Sequence, residues 1–178
     1  MIHLRISFLV ALVVLVFSSG CRTPKPTSLA QWSACWHQGH TIEFRKPRVK
    51  GVKLDQVRLN PNKTTAVLHL ATRWGQSLFV SEYTFAFLML ELPATVKTGQ
   101  TVKWTSSGRG IYREGGQMVS LETRKFSGKL TVLKRDKSRI RVRLEMMTGP
   151  AKLNLLKSKP RVLKGDVTLM VTNSRGAC

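Results

Sequence analysis

Arg139-Ile140-Arg141-Val142-Arg143-Leu144-Glu145-Met146 is the stretch that decides the fold. Charged and apolar residues alternate in it without a break. Successive side chains of a strand point to opposite faces, so one face here is apolar and the other cationic. The same period recurs downstream, where Val167, Leu169 and Val171 alternate with Asp166, Thr168, Met170 and Thr172. It recurs upstream in Val102 and Trp104 between Thr101, Lys103 and Thr105. Turn residues punctuate these runs. Asn60-Pro61-Asn62-Lys63 reads as a turn, Gly115-Gly116 as a two-residue hairpin, and Lys134-Arg135-Asp136-Lys137-Ser138 as the connection into residue 139. Phe79 to Leu92 is apolar on both faces and ends at Pro93. Its aromatic content favours a central strand over a buried helix. Leu153 to Leu156 reads as a helical turn. The expected fold class is all-β, a single antiparallel β-sandwich or barrel of about eight short strands with few or no helices, over residues 31–178.

The N-terminus reads as an address. Met1 to Arg5 carries one positive charge, Ile6 to Phe17 is apolar except for Ser7, and Ser18-Ser19-Gly20-Cys21 follows. A largely apolar stretch of twelve residues is too short for a bilayer span, which takes about 20. A basic start, an apolar middle and small residues before a cut site are the parts of a secretory signal. Small residues ending in Gly20-Cys21 resemble the lipobox of bacterial lipoproteins, with Ser18 where that family usually has an aliphatic residue. The resemblance covers residues 1–21. It implies a signal peptide over 1–20, lipidation of Cys21, and a linker over 21–30 rich in Pro, Thr, Ser and Lys. It also implies a membrane contact through the anchor, which two or more acyl chains make stable. Arg22, standing where Asp would retain the protein at the inner membrane, implies the outer membrane.

Three cysteines are present, Cys21, Cys35 and Cys178. If Cys21 carries lipid, an even pair remains for an oxidising compartment. A Cys35–Cys178 bridge would close a loop of about 140 residues and constrain the unfolded chain.

Charge is the main functional clue. The chain has 30 Lys+Arg against 9 Asp+Glu, a formal net charge of +21, and cleaving the signal removes only Arg5. Complete internal pairing would therefore still leave a large cationic excess. One group runs from Arg45 to Arg58, a second from Arg124 to Arg143, and a third from Lys152 to Lys164. In the second, Arg139, Arg141 and Arg143 share one strand face at a spacing of about 7 Å. Guanidinium groups match carboxylate and phosphate bidentately. These three arginines, with Lys134, Arg135 and Lys137, form the candidate site for an anionic partner: peptidoglycan, lipopolysaccharide or lipid headgroups. The competing reading is a solvated edge strand kept basic against aggregation. Nucleic acid shares the required sign, but no nucleic-acid motif accompanies it.

Catalytic machinery is hard to assemble from these residues. The nine acids are scattered, and no P-loop, HExxH or Gly-x-Ser-x-Gly motif is present. No cofactor motif is read. Cys35-Trp36-His37-Gln38-Gly39-His40 has spacing that could supply metal ligands, and a metal-dependent enzyme using His37 and His40 is the third-ranked alternative. The second is an accessory subunit of an envelope assembly, docking through a sheet edge or through the aromatic segment 79–90. Trp32 and Trp36 could stack on sugars, although such pairs more often plug the end of a sandwich.

Overall fold

The computed structural model describes residues 28–46, 56–75, 84–105, 109–116, 120–153 and 156–173. A 3₁₀ turn at Leu29–Gln31, capped by Ser28, leads into eleven strands. They are β1 (Ser33–Arg45), β2 (Gln56–Trp74), β3 (Thr84–Pro93), β4 (Thr101–Thr105), β5 (Gly110–Gly115), β6 (Ser120–Thr123), β7 (Phe126–Arg135), β8 (Arg139–Thr148), β9 (Lys152–Leu153), β10 (Leu156–Lys157) and β11 (Val162–Thr172). One sheet joins them in the order β10-β9-β6-β5-β3-β2-β1-β11-β8-β7-β4. Its end strands are not paired with each other, so it is not closed into a barrel.

The all-β expectation holds. The sheet is mixed, because β1 and β11 pair in parallel with Cys35 opposite Met170. The helical turn expected over Leu153 to Leu156 falls in part on residues 154 and 155, outside the described residues; its two ends are strand residues, Leu153 pairing with Leu156 as β9 and β10 extend the sheet beyond β6. Gly115-Gly116 lies in a hairpin as expected, but Gly115 pairs with Ser120, so four residues make the connection.

The sheet curves until its two halves face each other across one core. Leu88 and Leu90 of β3 and Tyr112 of β5 share a cluster with Trp104 of β4, Leu130 of β7, and Val142 and Leu144 of β8. The halves approach closely at Gly110, where a Cβ would lie 2.9 Å from Leu90 Cδ2 and 3.0 Å from Phe126 Cε2. Two polar ties bridge them. Arg135 donates to the carbonyls of Val96 (2.6 Å) and Ala94 (3.3 Å). Arg161 donates to Glu114 through Nε (3.0 Å) and Nη2 (3.4 Å).

Residues Asn60 to Lys63 do not end a strand. Both arms of the β1–β2 hairpin continue through them, and the hairpin folds there instead. Gln38 pairs with Ala66 and His40 with Pro61, so Gly39 alone stands opposite residues 62–65. Gly39 takes φ 70°, a left-handed conformation that costs glycine little. Asn62 Oδ1 accepts from the Thr64 N–H (3.0 Å) and hydroxyl (2.8 Å), and the Thr65 hydroxyl donates to the His40 carbonyl (2.8 Å). Beyond the bend, Ile42, Phe44, Val57 and Leu59 pack on Val67, Phe87, Met89 and Ile111, on the opposite face from the main core. Glu91 of β3 fastens the fold by accepting from the Thr41 hydroxyl and the Ile42 N–H. The Arg124 guanidinium lies over the Phe44 ring at 3.9 Å. β3 is therefore central, flanked by β2 and β5 and covered on both faces, which is why its segment reads apolar on both.

Candidate functional site: a cationic face on the uncovered half of the sheet

The folded hairpin covers the outer face of β3 and β5. The outer face of β11, β8, β7 and β4 faces solvent. The β8 pattern is the alternation of the sequence made physical: Ile140, Val142, Leu144 and Met146 are buried, while Arg139, Arg141, Arg143 and Met147 are exposed.

Register assembles this face in rows. Arg139 lies beside Met170 of β11, and Arg141 lies between Thr168 and Lys134. Arg143 lies between Asp166 and Thr131. The fourth row runs Lys164, Glu145, Lys129, Lys103 across all four strands. Met147 and Val162 close the far end. Seven cations thus share a surface with two carboxylates.

Asp166 is a clip between two of the arginines. Its Oδ1 accepts from Arg143 Nε at 2.8 Å and its Oδ2 from Arg141 Nη2 at 3.1 Å. The Arg143 hydrogen bond holds its carboxyl below the usual carboxylate range, and the same bond raises Arg143. Glu145 holds Lys129 more loosely, at 3.7 Å. Lys103 stands directly opposite Lys129, a like-charge pair that a sheet tolerates only at some cost.

No protein-family profile, no curated protein and no solved structure matches this chain.

Of the six residues singled out in sequence, Arg139, Arg141, Arg143 and Lys134 share this face, and Lys137 is exposed in the turn beside it. Arg135 belongs elsewhere. The β7–β8 register shifts between Val132 and Lys134, which reverses the alternation and turns Lys134 outward and Arg135 inward. Besides its two carbonyl bonds, Arg135 donates to Gln38 Oε1 (3.1 Å) and lies 5.8 Å from the Trp36 ring. Its guanidinium is a tie between sheet halves. Lys103, Lys129 and Lys164 join the face from separate parts of the sequence, which only the strand register brings into one row.

The other candidates are placed as follows. Cys35 is buried in β1, whereas Cys21 and Cys178 lie outside the described residues. Trp36 is fully buried in the core, so sugar stacking by a Trp32–Trp36 pair is excluded; Trp32 lines a cleft of about 180 Å³ with Trp74, Tyr112, Arg161, Val162 and Lys164. Two of the residues lining that cleft, Tyr112 and Arg161, bond to Glu114: burial raises its carboxyl, but hydrogen bonds from Tyr112 (2.8 Å) and Arg161 outweigh it and hold it low. His37 and His40 are buried with ring centroids 6.2 Å apart, and His69 joins His37 at 5.7 Å. Among the described residues no group of three His, Cys, Asp or Glu side chains could hold a metal ion. The aromatic segment 79–90 is described from Thr84 onward, where β3 has both edges paired. No described helix is long and apolar enough to cross a membrane.

Proposed function

We propose that this chain is a membrane-anchored envelope lipoprotein, held by lipid on Cys21, that binds an anionic envelope component through the outer face of β11, β8, β7 and β4. The observation that carries the reading is the concentration of seven cations against two carboxylates on one uncovered surface. A solvated edge strand kept basic against aggregation would not need it, because β8 is an interior strand and its charges are not at an edge. Peptidoglycan carboxylates, lipopolysaccharide and lipid phosphates all fit the chemistry of arginine rows.

The test is a pull-down of purified protein on each of these materials at low and high salt. Binding should fall steeply with salt and be lost in the Arg139/Arg141/Arg143→Ser triple variant. Full retention by that variant would overturn the site. A complex with one envelope protein that persists in high salt would favour an accessory-subunit role instead, for which the open edges of β4 and β10 are the available docking strands.

A Cys35–Cys178 bridge belongs to the same reading. β1 and β11 run in parallel with His37 opposite Thr172, so the six residues after Thr172 start two positions beyond Cys35. A chain of that length reaches about 20 Å, several times the distance needed. Nonreducing and reducing peptide maps of the exported protein decide it.

A further inference from the structure

Three large apolar side chains stand exposed among the described residues: Met147 at 51%, Val162 at 73% and Met170 at 58%. All three are on the cationic face. Met147 and Val162 are cross-strand neighbours at one end of it, and Met170 is at the other. A wall polymer rich in carboxylates gains nothing from a bare Met–Val pair beside its cation sites. A lipid surface does, because phosphates sit directly above hydrocarbon.

The tether points to the same end. Ser28 and Leu29 line one cleft with Val162, Leu163 and Lys164, and Leu29 packs against Gly165 of β11. Six residues, 22–27, separate Ser28 from Cys21, seven Cα–Cα steps in all. Their full extension is about 25 Å, so an anchor at Cys21 keeps the Met147–Val162 corner within that distance of the bilayer. Met170 lies eight residues further along β11, about 27 Å away.

We propose that the Met147–Val162 corner, bordered by the row of Lys164, Glu145 and Lys129 with Arg143 one row beyond, rests in the anionic headgroup layer of the membrane that holds the anchor. This rests on the lipoprotein reading and names lipid phosphate as the anionic component. The apolar pair enters the headgroup boundary while the neighbouring cations engage phosphates, so the basic face stands tilted on the membrane rather than reaching away from it.

The two methionines are built-in reporters, since their exposures are nearly equal. The lipidated full chain is reconstituted into vesicles of phosphatidylcholine alone, or of equimolar phosphatidylcholine and phosphatidylglycerol, and oxidised with dilute hydrogen peroxide. Peptide mass spectrometry then follows Met147 and Met170. On anionic vesicles Met147 should oxidise about fivefold more slowly than Met170, and the difference should shrink on neutral ones. Val162→Asp should abolish the protection while circular dichroism stays unchanged. Equal oxidation of the two on anionic vesicles overturns the proposal, as does protection that survives Val162→Asp. Protection of Met147 by soluble peptidoglycan fragments as strong as that by anionic vesicles would also overturn it. Flotation separates the two layers of the argument. A chain that floats with vesicles in high salt but leaves Met147 unprotected refutes the corner alone, whereas a chain that does not float at all refutes the anchor.

Discussion

Asp166 governs how much charge the basic face offers, because it occupies two of the three arginines of β8 at once. Asp166→Asn should therefore tighten binding to anionic vesicles by about fivefold at low salt, measured by co-sedimentation, and leave thermal stability nearly unchanged, as exposed ion pairs contribute little. His69 is the opposite kind of residue, titratable and withdrawn from water. Burial, with His37 beside it, pushes its pKa down to about 4 from an ordinary 6.5. A depressed histidine stays neutral in the fold, so the unfolded chain takes up the proton first. Stability is then complete above pH 6.5 and declines as pH falls toward 4, by about 3 kcal/mol in the limit. In His69→Gln that part of the decline should vanish, visible as a flatter melting temperature between pH 7 and pH 4.5. An unchanged slope would place the pH dependence on another group.

Within β7, neighbouring residues of like charge have opposite duties. Lys134→Ser should weaken anion binding and spare stability. Arg135→Ala should cost about 2 kcal/mol in denaturant unfolding, through its lost charged hydrogen bonds to Val96, Ala94 and Gln38, and spare anion binding. The alternation of β8 was legible in the amino-acid order alone, because a strand with one wet face carries its own period. β3 was legible as a central strand for the complementary reason, being apolar on both sides. The duties of Lys134 and Arg135 were not legible, since a one-residue irregularity reverses which side chain points inward and leaves no compositional trace. Asn60-Pro61 misled for a related reason. Turn-forming residues do change the chain's direction there, but against a paired neighbour, so the hairpin bends over instead of ending. Pro61 fits because β3 begins to pair with β2 only at Thr65, leaving no ladder partner to miss a donor on that side. The row formed by Lys103, Lys129 and Lys164 was illegible because cross-strand register is a long-range property.

Across the whole molecule the two halves of the sheet are held by packing at Gly110, by Arg135, and by the Arg161–Glu114 pair. Arg161→Ala would strand Glu114, which is 7% exposed, without its cation. Thermal unfolding should show a loss of about 2 kcal/mol, lessened by the partial solvation of Arg161, and adding Glu114→Gln should recover part of it. If the double variant is no better than the single one, the pair does not act as a unit. β11 holds a singular position in the sheet. It stands between β1 and β8, so without residues 162–172 the remaining strands form two unconnected pieces, one running from β10 to β1 and the other comprising β8, β7 and β4. The strand that joins them is the last of the eleven to be synthesised. The two pieces can therefore join only after β11 has been made, so the topology holds the earlier strands short of their final architecture until the keystone arrives.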